Sequence, residues 1–350
     1  MSEINQNQKL GYIASLDGLR ALSVIMVMFT HANFSLGKNG LVGVVAFFTL
    51  SGFLITTILL EEFQKNNKIS LKAFYIRRTL RLFPALYMML IAVAIYAWIY
   101  RSGLEQKQIF QDVIASALYV YNIAWAWGWC KVEILLYHMW SLGVEEQFYL
   151  LWPAVLILFL RFKKLRLLQI LLPIFIIIVA GLKIMHSFPL IAGAIINESI
   201  LIGCFGALLR WNKVLPYRSV TLIIGIVALL GLAVPGIAPI RHIPNNYYYI
   251  FSLFTIILIL HMVDWQDSII SKLFSIPAVV FVGKISYSLY IWHLPVFRLF
   301  AYHSTLPPMV SFVGKFVVSF VLATASWMLV EKYTTAFGRR LSAKVISKQH

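Results

Sequence analysis

Charge is scarce in this chain and acid is scarcest: 13 Asp and Glu among 350 residues, with 12% charged residues against 61% hydrophobic. Soluble domains carry about 25% charged residues, so that class is excluded. Cysteine is almost missing. Cys130 and Cys204 stand in different regions at no metal or redox spacing, which leaves disulfide scaffolds, zinc modules and CxxC chemistry without ligands. There is no P-loop, Gly-rich dinucleotide fingerprint, HExxH or GxSxG elbow, so nucleotide, metal and serine-hydrolase readings have nothing to rest on. No Pro/Gly/Ser-rich linker, low-complexity tract or internal repeat divides the chain. The longest non-spanning stretch, 101–140, is too short for a separate domain. One domain over 1–350 is expected.

What the chain has is apolar runs of spanning length, near 16–36, 41–60, 82–100, 141–160, 167–186, 190–209, 219–235, 247–263, 278–299 and 308–330. They are continuous rather than alternating, which excludes a transmembrane β-barrel. The expected fold is an all-α integral membrane bundle of about ten transmembrane helices, with an apolar but interrupted stretch at 109–130. The polar start, MSEINQNQKLGYIAS, and the lack of a small-residue cleavage site read as a retained first helix, not a removed signal peptide. The net charge of +17 follows the same architecture. Twenty Lys and Arg fall in 1–15, 61–81, 161–166, 210–218, 264–277 and 332–350, against five in the alternate loops. That asymmetry puts both termini in the cytoplasm, with a short basic tail at 332–350. The basic residues report topology; the bilayer is the expected partner, and nucleic acid is not.

Ionisable residues inside such a chain are expensive and mark sites by default. The first run carries Asp17, Arg20 and, eleven positions later, His31. Eleven helical residues advance about three turns, so Arg20 and His31 share a face about 16 Å apart along the axis. The competing reading is an interfacial Arg20 paired with Asp17 and a His31 snorkelling outward. Arg78 and Arg81 are neighbours on a helix face, with Arg77 beside them and Pro84 suited to a helix start or kink. Together they suit a phosphate grip, and equally an anchor to anionic lipid. The segment from Trp140 and Ser141 through Glu145 and Glu146 opens an apolar helix that Ser141 is expected to cap, with two acids beyond what capping requires. By the same topology this end of the helix is expected outside, on the side that His31 approaches. Ser286, Tyr290 and His293 align on one face next to Tyr287, where interhelical hydrogen bonds are an equal explanation. His138 and His303 read equally as interfacial.

Taken together these segments resemble the acyltransferase 3 family of integral-membrane acyltransferases, the O-antigen acetylase type. The likeness is carried by Leu16 to Arg20 through His31, and by Gly43 with Phe47-Phe48-Thr49-Leu50-Ser51-Gly52-Phe53. It continues in Arg77-Arg78-x-x-Arg81-x-x-Pro84 with Tyr87, in Trp140-Ser141-Leu142-x-Val144-Glu145-Glu146-Gln147-Phe148-Tyr149, and more weakly in Ile285 to Tyr290 with Trp292-His293. The blocks occur in family order across nearly the whole chain. Two positions depart from the pattern: Val45-Ala46 stand where an acid often precedes the Phe pair, and Tyr333 stands where proline is common. Beyond the short basic tail no fused extracytoplasmic hydrolase-like domain, such as some members carry, is expected.

The resemblance implies a multi-pass enzyme of the bacterial inner membrane. It would move an acetyl group from cytoplasmic acetyl-CoA to a hydroxyl of an envelope glycan such as lipopolysaccharide O-antigen. Acetyl-CoA is then a donor substrate, with no permanently bound cofactor and no metal. A neutral imidazole can take the acceptor's proton as its oxygen attacks the thioester, a role given to His31. Glu145, and next Glu146, would orient and stabilise that imidazole. Arg78 and Arg81, with Arg77, would hold the CoA phosphates, and Arg20 would guide the thioester arm or balance developing negative charge. Asp17, Trp140, Ser141, Ser286, Tyr287, Tyr290 and His293 are the expected supporting residues. A transporter or flippase of a lipid-linked sugar is the alternative, though such proteins tend to show the internal repeats this chain lacks.

Overall fold

A computed structural model describes residues 10–32, 39–130, 135–185, 196–212, 214, 220–237 and 248–347. Among them the regular elements are helices and there is no strand. In chain order they are α1 (Ala14–His31), α2 (Leu41–Asn66), α3 (Leu71–Tyr100), α4 (Gly103–Ala117) and α5 (Tyr121–Ala126). Then come α6 (Met139–Arg161), α7 (Leu165–Ile184), α8 (Glu198–Trp211), α9 (Leu222–Ile237) and α10 (Tyr249–Asp264). The series ends with α11 (Ile269–Phe274), α12 (Pro277–Lys284), α13 (Ser286–His303), α14 (Pro308–Ser326), a π-helical turn (Trp327–Glu331) and α15 (Lys332–Ser347).

Local chemistry sets several of these ends. Asn67 closes α2 in the left-handed region at φ 53°, a conformation asparagine tolerates. The Ser70 side chain caps α3 by accepting from the Ala73 N–H, and Asn197 caps α8 through Ser199. Pro84 neither starts nor ends a helix: α3 runs through it for 30 residues. Five helices are long and apolar enough to cross a membrane, Leu41–Asn66, Leu71–Tyr100, Met139–Arg161, Leu165–Lys183 and Pro308–Ser347, and α12 with α13 makes a sixth if taken as one bent span. Five or six of the ten expected spans are thus accounted for among the described residues. The others fall short on length or polarity: α8 has 14 residues, α9 and α10 have 16 each, and α1 carries Asp17 and Arg20.

The chain divides into two units, with the boundary passing inside α6 between Phe148 and Tyr149. The first contains α1, α2, the second half of α6, and α7 to α12; the second contains α3 to α5, the first half of α6, α13, α14, the π turn and α15. In the first unit α2 and α8 lie backbone to backbone. A Cβ at Gly52 would collide with the Ile200 carbonyl, and one at Gly203 with the Thr49 carbonyl. Hydrocarbon offers no hydrophobic drive to pair helices, so close contact through small residues supplies the attraction. The start of α6's second half is tied to α2 by Tyr149 Oη donating to Ser51 at 2.7 Å and Trp152 Nε1 donating to Thr56 at 2.9 Å.

This packing reverses the usual sign of a helix substitution. Gly→Ala in a helix interior normally stabilises by about 1 kcal/mol. At Gly181, where an added Cβ meets nothing within 4 Å, Gly181→Ala is expected to raise the melting temperature of the purified protein slightly. Gly203→Ala is expected to lower it, since overpacking costs about 1–3 kcal/mol.

In the second unit α4 runs back along α3. Gln106 Nε2 donates to the Ala97 and Arg101 carbonyls at 3.1 and 2.9 Å, and farther on Tyr87 Oη donates to the Ala117 carbonyl at 3.2 Å. At the turn the Tyr119 ring lies 5.1 Å from Phe83. From Tyr100 to Phe83 is about 25 Å of helix, so the interrupted stretch at 109–130 folds back along α3 as a 15-residue and a 6-residue helix instead of one helix of spanning length. Its apex needs internal hydrogen bonds if it lies at membrane depth. Tyr119 takes φ 54°, its carbonyl accepts from Gln147 Nε2 at 2.9 Å, and Asn122 and Gln147 exchange hydrogen bonds at 2.9 and 3.0 Å.

Candidate functional site

In the first unit α1 is clamped at its start. A Cβ at Gly18 would strike the Phe274 carbonyl, and one at Gly283 would strike the Asp17 carbonyl, so α11 and α12 hold this turn at backbone contact. Asp17 is 7% exposed, forms an ion pair with Arg20, and accepts from Tyr12 Oη at 2.9 Å. The Asp17–Arg20 pairing of the competing reading is therefore realised, and it fixes the guanidinium's direction. His31 is the last residue of α1 and is half-buried; the Ala32 N–H closes the helix on the Met28 and Thr30 carbonyls. Asp17, Arg20 and His31 thus lie on one continuous helix, as their spacing requires.

The second unit gathers most of the other candidates. Arg78 Nη2 lies 3.8 Å from Glu146 Oε1, both side chains being less than a fifth exposed. Arg81 and Glu145 are within electrostatic reach of Glu146 as well, and Arg81 is exposed. Arg77, adjacent to Arg78, is half-buried. Tyr287 donates to the Leu82 carbonyl at 2.8 Å, which places α13 alongside the arginine turn of α3. The acids were expected to open α6 at the outer surface, away from the arginines. Because α4 returns along α3, the start of α6 lies deep in the unit instead, and Glu146 meets Arg78.

Behind this cluster is an acid that the sequence reasoning did not single out. Glu331 is 6% exposed, bonded to the Ser288 hydroxyl, and close enough to Arg81 to interact with it. Ser288 also donates to Ser326 at 2.9 Å. Glu331 lies in the π-helical turn, a rare irregularity that often accompanies functional sites. The available signal was an acid ending the uncharged run 316–330, which read simply as the exit of the last helix.

Ser141, Tyr290 and His293 make a separate knot. Ser141 is the third residue of α6 rather than its cap; its hydroxyl bonds to the His138 carbonyl and to Tyr290 Oη. Tyr290 Oη also donates to the His138 carbonyl at 3.1 Å. His138 is 1% exposed, and its Nε2 lies 3.2 Å from the Ile291 carbonyl. His293 is bonded through Nδ1 to its own helix at the Tyr290 carbonyl, 2.7 Å away, with its ring 5.0 Å from that of His138. Ser286 is buried and Trp140 half-buried. This group joins α6 to α13, which is the interhelical reading of those residues. Among the described residues no cluster of three or more His, Cys, Asp or Glu is arranged to hold a metal ion.

A family model described as an acyltransferase domain matches residues 13–330, a stretch that contains every candidate catalytic, donor-binding and supporting residue named from the sequence. A peptidoglycan O-acetyltransferase, OatA, of Listeria monocytogenes serovar 1/2a is 32% identical over 346 residues, covering 91% of this chain and 55% of the relative. An O-acetyltransferase OatA of Staphylococcus aureus NCTC 8325 is 31% identical over 350 residues, covering 91% and 57% respectively. A putative O-acetyltransferase of S. aureus COL is 32% identical over 316 residues. The chain spans a little over half the length of these curated relatives. No solved structure matches it.

Proposed function

This chain belongs to the acyltransferase 3 family, and on that premise we propose that it is a multi-pass membrane O-acetyltransferase of the bacterial cytoplasmic membrane. It moves an acetyl group from acetyl-CoA to a hydroxyl of an envelope glycan. Peptidoglycan is the acceptor favoured by the name of a relative, ahead of the O-antigen that the family resemblance suggests. The observation that carries the reading is the buried Arg78–Glu146 contact beside exposed Arg81, inside the matched region. Charged groups so little exposed inside a membrane bundle are costly and mark a ligand or reaction site by default.

The two units divide the work. In the first, His31 takes the proton of the acceptor hydroxyl as that oxygen bonds to the thioester carbonyl carbon. The C-terminal end of α1 carries partial negative charge, which suits a side chain that becomes a cation on protonation. The tetrahedral intermediate collapses with loss of CoA thiolate, leaving the acetyl ester. Arg20, held in place by Asp17, is the cation available on α1 to balance the developing oxyanion. In the second unit Arg78 and Arg81, with Arg77 beside them, bind the phosphates of CoA by charge-assisted hydrogen bonds. Glu146 and Glu331 hold the arginines, so little entropy is lost when the donor docks. Glu145 is assigned to support His31.

The test compares envelope glycans from cells with and without this chain by mass spectrometry, before and after mild alkali. An alkali-labile mass of one acetyl group that appears only with the chain is expected. Identical glycans in both strains overturn the reading.

A further inference from the structure

At the opposite end of α3 from the arginines, the second unit opens a groove of about 610 Å3 between the last turns of α3 and α13. Its walls include Tyr96, Tyr100, Phe300 and His303, and the loop residues Ser304 and Thr305. The two tyrosine rings stack, with centroids 5.5 Å apart and planes at 30°, while Tyr100 keeps 65% of its surface exposed. A polar edge is already set beside them. Arg101 Nη2 donates to Tyr96 Oη at 2.6 Å, and that oxygen lies 2.9 Å from His303 Nε2. Arg101 is itself fixed, 4.6 Å from the Tyr302 ring centroid and 3.4 Å from Glu105.

Position along the helix says which side of the membrane this groove faces. From Arg78 to Tyr100 α3 rises about 33 Å, the thickness of a hydrocarbon core. α15 lies against the start of α3, with Gly338 facing Leu80, so Arg339 and Arg340 join Arg77, Arg78 and Arg81 at one end. Lys and Arg concentrate on the cytoplasmic side, which leaves the groove on the outside.

Ring faces beside a fixed row of hydroxyl, imidazole and guanidinium groups match the two surfaces of a sugar. The weakly positive C–H face of a pyranose packs on the negative face of an aromatic ring. Its hydroxyls exchange hydrogen bonds with groups that both donate and accept, as Tyr96, His303, Ser304 and Thr305 do. A lipid tail would use the rings but would set the Tyr96–His303 edge against hydrocarbon, a cost for polar groups. The volume lies in the range of small-ligand pockets, about 300–1,000 Å3, enough for a short oligosaccharide.

We propose that this groove is a docking site for the acceptor glycan, holding sugars of the strand on Tyr100 and hydrogen-bonding them through the Tyr96–His303 pair. The ligand class rests on the glycan acylation reading; the groove and its chemistry do not. The test uses the full chain in nanodiscs and a soluble tetramer of β-1,4-linked N-acetylglucosamine, with binding followed by saturation-transfer NMR and titration calorimetry. Tyr100→Ala is expected to weaken binding by about tenfold or more, corresponding to about 1.4 kcal/mol. Tyr100→Phe, which keeps the ring, should bind as wild type does, and His303→Ala should also weaken binding. Because the readout needs no turnover, it can fail while glycan acetylation stands, or hold while acetylation fails. No tetramer binding by wild type, or equal binding by Tyr100→Ala, overturns the proposal. So does a co-purified phospholipid, counted by native mass spectrometry, that is lost from Tyr100→Ala while tetramer binding is unchanged.

Discussion

His31→Ala leaves a protein that inserts at normal levels and transfers acetyl groups at less than about a hundredth of the wild-type rate, the loss that removal of a general base brings. The clamp on α1 is at its other end, through Gly18, Gly283 and the Asp17–Arg20 pair, whereas His31 is half-buried at the last turn. Alanine is a good helix former, so α1 itself loses nothing. The assay follows CoA thiol released in the presence of glycan acceptor, with membrane yield and melting temperature measured alongside. The expected loss falls on kcat, with the KM for acetyl-CoA little changed, since an interaction made in the transition state is removed. Full activity removes the base assignment. The double variant with Glu145→Gln is expected to be little worse than His31→Ala alone, because a support has nothing left to support. Independent, multiplying losses would give Glu145 a role of its own.

The parts of this molecule legible in the sequence are those governed by local rules. Continuous apolar runs mark α2, α3, α6, α7 and the helix beginning at Pro308 because spanning length and composition are properties of one segment. Asp17 and Arg20 meet because they are three residues apart on a helix, and the same spacing argument holds for Arg78 and Arg81. The stretch at 109–130 stayed ambiguous because its path depends on pairing with α3, through Tyr87 to Ala117 and Phe83 to Tyr119. No local pattern announces a return along a neighbour. The Arg78–Glu146 contact was hidden by the same cause: the topology set the acids of α6 and the arginines of α3 at opposite ends of their helices, and the return of α4 along α3 brings them together. Glu331 escaped for a different reason. An acid that closes an apolar run reads as the exit of a helix, and its burial comes from packing against Ser288 of α13, which no local pattern shows.

Replacing Arg78 and Arg81 together with alanine is expected to raise the KM for acetyl-CoA by about a hundredfold while kcat changes little. Hydrogen bonds to charged groups contribute about 1.5–3 kcal/mol each, and two arginines facing phosphate supply at least that many. The alternative, an anchor to anionic lipid, predicts a different outcome. Lipid attraction follows charge, so Arg78→Lys with Arg81→Lys would restore whatever alanine removed. Phosphate held by a planar fork distinguishes the two cations, since lysine offers a point charge in place of paired donors. Under the donor-binding reading the double lysine protein recovers only part of the affinity. Direct titration of CoA onto the purified protein in uncharged lipid separates these cases without turnover. Full recovery with lysine, or CoA affinity unchanged by the alanines, would assign the arginines to the membrane surface. The Glu146 contact sharpens the expectation, because a guanidinium already aimed by a carboxylate 3.8 Å away gains more from its fixed geometry than a freely rotating ammonium does.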